Sequence, residues 1–332
     1  MTKILLHVGP HKTGSSYLQA CFSYHREALR ERGIVLPAAW EHAPGNPSHT
    51  GLVTALLNND LAGAKAVLEG AFAEGAETLL VSAEDLSVLP VEALQRLRCM
   101  LGAADVLVVF YVRRWTDLLP SVWQELVKQG KSMSLPEYFS LQMRNPEASN
   151  EINFELKLAN LIDAFGQDSI RLVCFSALED AGSDIFSHFA RHFLGWWQAE
   201  PPAGAPRYNA SRGVKEIELL RQLNVIEFAA TGRKTADVRN KLDAAAPSKH
   251  MRFVLEAMEP HCRALPFNDF LPVLTGMHRA LHQRFKQNVV APSPPNMFFR
   301  PKKHPLPFVA SDYLVQRGVV DALHEVYAEI MI

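Results

Sequence analysis

Residues 3–22 read KILLHVGPHKTGSSYLQACF, and the fold follows from the order of events in them. Ile4 to Val8 is a short apolar run without alternation, as expected of a strand covered by helices on both faces. It runs into Gly9, passes through Pro10-His11-Lys12-Thr13-Gly14 and enters a helix at Ser15-Ser16. Glycines let backbone N–H groups turn inward without a Cβ clash, and the helix start adds uncapped N–H donors at a positive dipole end. Strand, glycine turn and helix in this order make a cradle for an anion.

Outward from that stretch, Thr78 to Ser82, Val106 to Val112 and Ile170 to Phe175 repeat the continuous apolar pattern of central parallel strands. Helical periodicity lies between them at Ser15 to Arg32, Leu61 to Glu74, Val91 to Leu101, Trp115 to Gln129 and Phe154 to Phe165. The alternation predicts an α/β fold: a P-loop-like, doubly wound, mostly parallel sheet with helices on both faces. After residue 200 the linker-like EPPAGAPRYNASRG precedes helical patterns at Val214 to Ala229, Arg252 to Met258 and Pro272 to Phe285. A Pro-rich stretch, Val290 to Phe308, then leads into an amphipathic helix from about Ser311 to Ile332. No further strand is expected there. Residues 1–200 form the nucleotide-binding core and 201–332 a mostly helical cap and lid, in a single domain without internal repeats.

The chain has 332 residues, 48% of them apolar and 21% charged, which excludes disorder, collagen-like repeats and coiled coil. Thirty-four basic and thirty-five acidic side chains give a net charge of −1, so no general attraction to nucleic acid or to an anionic membrane is expected. Any anion is bound locally. The four cysteines, Cys21, Cys99, Cys174 and Cys262, form no CxxC pair and lie in stretches that read as buried, so they are read as reduced. No run reaches a bilayer-spanning length and the N-terminus lacks a signal-peptide core, so a cytoplasmic location is expected.

The turn fits GxxxxG[ST][ST], close to the phosphate loop GxxxxGK[ST], but Ser15 stands where a nucleoside triphosphatase carries its lysine. The lysine is displaced to Lys12, which would meet a different atom of the bound group. A second anion site is written in VVFYVRRWTDLLPSVWQELVKQG, where Arg113 ends the third strand and Ser121 follows on the next helix. A forked guanidinium and a hydroxyl can converge on one phosphate at the carboxyl edge of such a sheet. Ser121, Gln124 and Lys128 share a helical face by their spacing. Read alone, the same residues also suit an Arg pair at a strand end and an ordinary surface helix.

Lys12-Thr13-Gly14-Ser15-Ser16 together with Arg113 and Ser121 resemble the two nucleotide motifs of sulfotransferases that use 3′-phosphoadenosine 5′-phosphosulfate (PAPS). The resemblance runs from about residue 3 to residue 200, looks closest to bacterial members with the wording HxGPHKTGxxxLQ and VRRxxD, and fades over the C-terminal third. It implies that the loop backbone with Lys12, Ser15 and Ser16 holds the 5′-phosphosulfate, and that Arg113 and Ser121 hold the 3′-phosphate. The product would be adenosine 3′,5′-bisphosphate, with no metal required. The residues themselves supply two separated anion sites on adjacent strands, which matches a nucleotide with two separated anionic ends. Lys12 suits the charge that grows on the leaving nucleotide.

The acceptor, a small molecule or glycan with a hydroxyl or amine, must lose a proton, which calls for a general base at the strand ends. By the resemblance that base falls just past the second core strand, where Glu84 stands, with Asp85 beside it. An acidic pair there also suits a helix cap or a Mg²⁺ site. His11 and His49 are the reserves, and His49, Asp85, Gln124 and Lys128 are expected to meet the acceptor. Asn209, Ser211 and Arg212 look like a loop returning over the nucleotide, or else Ser211 caps the helix that follows. Arg300, Lys302 and Lys303 suit a lid over an anionic acceptor or a solvated loop. His188 with His192, and His278 with His282, have helical metal-pair spacing without a third ligand, and are set aside. The alternatives are a small-molecule kinase, which would need Lys at position 15, and a non-catalytic nucleotide-binding protein. Oligomeric state is not legible.

Overall fold

The computed structural model describes residues 3–41, 47–73, 75–203, 212–265, 271–290 and 306–331. Among the described residues the strands are β1 (Lys3–His7), β2 (Ile34–Val35), β3 (Thr78–Ser82), β4 (Asp105–Val112), β5 (Ile170–Cys174), β6 (Cys262–Leu265), β7 (Val289–Val290) and β8 (Leu306–Val309). Six of them make one sheet in the order β2-β3-β1-β4-β5-β7, and every pairing in it is parallel. β1 lies between β3 and β4, with His7 opposite Ser82 on one side and Val109 on the other. The chain therefore crosses over β1 when it passes from β3 to β4. A parallel sheet binds ligands at such a switch point, outside the carboxyl ends of its strands.

Two compact units emerge. The first comprises Met1–Trp115, Glu147–Tyr208 and Thr275–Arg300, and the second comprises Thr116–Pro146, Asn209–Leu274 and Pro301–Ile332. In the first, Ile4, Leu5 and Leu6 are all within 1% of complete burial, which is why β1 shows no alternation. Leu5, Leu80, Val109, Tyr111 and Val173 pack on one face with Leu18 and Phe22 of the helix Ser15–Tyr24 and with Phe186 and Phe189 of the helix Ile185–Phe193. Those two helices are tied together by the Tyr17 hydroxyl, which donates to Asp184 at 2.6 Å while Asp184 caps the second helix through Ser187 N–H. Phe110 and Phe154 meet on the opposite face.

The second unit contains the helices Leu135–Arg144, Val214–Thr231, Asp237–Ala244, Lys249–Met258 and Val319–Met331, and the antiparallel pair β6 and β8. Arg221 forks onto Glu218 at 2.7 Å in its interior, and Glu218 also accepts from the Tyr313 hydroxyl. Charge burial of this kind is tolerated because each group is paired.

Several expectations change. The last third holds β6, β7 and β8, where no strand was expected; two to four residues, with Pro307 among them, are too few to show a period. The helix expected over 15–32 divides at His25, whose ring stacks on Phe186 and bonds the Glu200 carbonyl. The C-terminal helix begins at Val319, after a 3₁₀ turn over Ser311–Val315. Cys99 is exposed rather than buried, and all four cysteines are free. Among the described residues no helix is long and apolar enough to cross a membrane.

Candidate functional site

The turn after β1 is built by three left-handed residues, Gly9 at φ 72°, Lys12 at φ 70° and Gly14 at φ 80°. Gly14 has no substitute: a Cβ there would lie 2.8 Å from the Phe175 ring. Alternation of handedness in such a turn aims successive N–H groups inward, the arrangement that holds anions. The helix Ser15–Tyr24 opens directly from it, and no side chain caps its N-terminus. Thr13 is fully buried and its hydroxyl donates to the Pro10 carbonyl at 2.6 Å. Its side chain therefore braces the turn instead of reaching a ligand, while Ser16 stands exposed at the first helical turn.

Glu84 begins the 3₁₀ turn that follows β3, and it meets the cradle. Gly9 packs against its backbone, since a Cβ on Gly9 would lie 3.2 Å from Glu84 Cα. The Ser15 hydroxyl donates to Glu84 Oε1, and the Gln19 amide donates to Oε2 at 3.0 Å. Burial pushes the Glu84 carboxyl up, but hydrogen bonds from Ser15, from its own backbone and from Gln19, with His7 nearby, outweigh this and hold its pKa below the ordinary value. At neutral pH it is ionised and able to accept a proton.

Behind Glu84 lies a set of buried polar groups that hold β1 and β3 together. His7 Nδ1 and Ser82 Oγ share a hydrogen bond of 2.7 Å, and the ring meets Tyr111 and Phe189 edge to face. Burial lowers the His7 pKa to about 4, partly countered by Glu84. His49 is 1% exposed, accepts from Ser82 N–H through Nδ1 at 3.0 Å, and gives its backbone N–H to the Ser82 carbonyl at 2.9 Å. Burial, then the nearby Arg26 charge, lowers its pKa to about 4. His49, expected as a reserve base and acceptor contact, is thus buried with its Nδ1 lone pair occupied by the Ser82 N–H. His11 stands at the exposed lip, where its Nε2 and Asp85 Oδ1 lie 3.0 Å apart.

After β4 the two arginines bond to the protein. Arg113 donates to the Lys12 carbonyl at 2.6 Å, lies 3.6 Å from Glu179 and sits over the Phe175 ring. Arg114 is 5% exposed and forks onto Asp180 with both bonds at 2.9 Å. Arg113 thus reaches the cradle by holding the left-handed residue of its turn. Arg113 belongs to the first unit, and Ser121, Gln124 and Lys128, all partly buried on the helix Trp115–Lys128, belong to the second. Arg212 donates to Asp243. Asn209, Ser211, Arg300, Lys302 and Lys303 lie outside the described residues, as does the side chain of His278.

Gln19 was not singled out from the sequence. Its signal is the spacing of four from Ser15, which puts both on one helix face. His188 and His192 have ring centroids 4.5 Å apart, and among the described residues no group of three or more His, Cys, Asp or Glu could hold a metal ion.

No protein-family model and no curated protein matches the chain. Among solved structures, a sulfotransferase from Alicyclobacillus acidocaldarius is similar at 15% identity with a TM-score of 0.39, over 71% of this chain and 98% of that one.

Proposed function

We propose that this protein is a sulfotransferase that moves a sulfuryl group from PAPS to a hydroxyl or amine of a small-molecule or glycan acceptor. The observation that carries the reading is the meeting of the glycine turn with an ionised carboxylate: Glu84 stands against Gly9 and Ser15, at the mouth of a cradle whose helix start is uncapped. The cradle fits an anionic tail, because its left-handed turn and free helix end offer donors without a side chain in the way. Ser15 in place of the triphosphatase lysine supports a different leaving group from that of a kinase.

In this reading the N–H groups from residue 12 to residue 16 and the Ser15 and Ser16 hydroxyls hold the phosphosulfate end. Bound there, PAPS supplies a sulfur that takes the acceptor's lone pair as its bond to the bridging oxygen breaks, the electron pair leaving on adenosine 3′,5′-bisphosphate. Glu84 takes the acceptor's proton, and Lys12 offsets charge on the leaving phosphate. The Arg113 bond to the Lys12 carbonyl keeps that lysine's backbone in its left-handed state. The His11–Asp85 pair is the second choice of base, since Asp85 orients the ring while Nδ1 is left to accept.

Thermal unfolding with added nucleotide tests this. A ligand at about 100 times its Kd adds roughly 2.7 kcal/mol to the folded state. Adenosine 3′,5′-bisphosphate is expected to raise the midpoint more than ATP or ADP at equal concentration. Stabilisation by ATP alone would overturn the assignment in favour of a kinase.

A further inference from the structure

Ser15 occupies a position claimed from two sides. It opens the helix whose N-terminus faces the cradle, and it donates its hydroxyl to Oε1 of Glu84. One turn along the same helix, Gln19, 4% exposed, donates to the other oxygen of the same carboxylate. Gln19 also reaches the Ser82 carbonyl at 3.5 Å, within the strand that ends just before Glu84. Two side-chain donors thus hold one carboxylate, and only the first of them stands at the anion turn.

We infer that Ser15 is a shared donor: it passes its hydrogen bond from Glu84 to an anion that enters the turn, and Gln19, with the backbone of Glu84 itself, then positions the carboxylate. The inference rests on the reading of the turn given above. Loss of a donor and arrival of a negative charge both disfavour the ionised carboxylate, so Glu84 becomes a stronger proton acceptor when the nucleotide is in place. The base would be activated by the donor nucleotide before it meets the acceptor. Ser15 and Gln19 from the helix bond Glu84, and His7 from β1 acts on it; Ser82 joins His7, His49 lies behind Ser82, and Asp85, next in sequence, pairs with His11. His7 and His49 are neutral above about pH 4, so neither competes between pH 5 and 7.

Because a raised pKa in the bound state means proton uptake on binding, the transfer has a calorimetric signature. Adenosine 3′,5′-bisphosphate and, separately, inorganic pyrophosphate are titrated into the protein at pH 5.5 in buffers of different ionisation enthalpy. Glu84→Gln subtracts protons taken up by the ligand itself. Wild type is expected to take up a fraction of a proton more than Glu84→Gln; Ser15→Ala is expected to lose most of that excess and Ser15→Thr to keep it. Equal excess in wild type and Ser15→Ala, or none in wild type, would overturn the shared donor. Excess with pyrophosphate but no binding of the nucleotide would keep it and overturn the nucleotide reading; binding of neither would overturn both. For Gln19→Ala, kcat falls with the nucleotide KM unchanged and the acid limb of the kcat profile moves to higher pH. A Gln19 that only packs the helix would leave that limb in place.

Discussion

β1 and β4 are neighbouring parallel strands that run to the same carboxyl edge of the sheet, and the residues that follow them use their polar groups in opposite ways. After β4, Arg114 gives its fork to Asp180, and Arg113 donates to the Lys12 carbonyl beside Glu179. After β1, the helix start has no side-chain cap, and Ser15 and Gln19 gather on a carboxylate that carries no lysine or arginine partner among its hydrogen bonds. One strand end is tied into the protein; the other presents donors and a carboxylate. A guanidinium at a strand end offers several donors, so a bond to the protein's own carbonyl and a bond to a phosphate are both open to it.

The largest contrast is expected in turnover. Glu84→Gln should lower kcat by about 10²–10⁴-fold, the usual range for a lost general base, while nucleotide affinity measured by calorimetry stays within a few-fold. Lys12→Ala should likewise lower kcat far more than affinity. If Glu84→Gln keeps full activity, the His11–Asp85 pair takes its place.

The two ends should also differ in their response to acid. His7 and His49 titrate at about 4 when folded and near 6.5 when unfolded, so the unfolded chain binds more protons between those values. Their stabilisation is complete above 6.5 and is lost as the pH falls toward 4. Each contributes a slope of up to about 1.4 kcal/mol per pH unit within that window. In urea unfolding at pH 7 and pH 5, His49→Gln should flatten this dependence and Arg114→Ala should leave it unchanged. An unaltered slope in His49→Gln would mean that His49 is not buried and neutral.

Arg114→Ala removes the buried partner, but Asp180 is about half exposed and can be rehydrated. The loss should therefore be about 1–3 kcal/mol in urea, below that of a fully buried pair. The smallest effect is the most informative. Arg113→Ala should weaken inorganic pyrophosphate and adenosine 3′,5′-bisphosphate equally, each by about tenfold or about 1.4 kcal/mol, if Arg113 only holds the turn. Loss confined to the bisphosphate would instead make Arg113 a ligand of the 3′-phosphate.

β1, β3, β4 and β5 were legible because strands buried on both faces are continuously apolar; Glu84 was placed just past β3 by the resemblance, and its contacts with Gly9 and Ser15 come from the structure. β2 and β7 were not, since two residues carry no period. The helix Leu135–Arg144 was missed although Ser134 and Glu137 form a capping box with Pro136 at its start, a local signal that was available. The surroundings of His49 and Arg113 were not legible for a different reason. Each is defined by a partner distant in sequence, Ser82 for one and the Lys12 carbonyl for the other, and residue type says nothing about who supplies the acceptor.

A crystal structure with adenosine 3′,5′-bisphosphate bound bears on the central claim most directly. The 5′-phosphate should rest on the N–H groups of residues 12 to 16, with the Ser15 hydroxyl turned from Glu84 to the phosphate and Gln19 still on the carboxylate. A nucleotide bound elsewhere with the turn after Val8 empty, or one seated in the turn while Ser15 remains on Glu84, would contradict it.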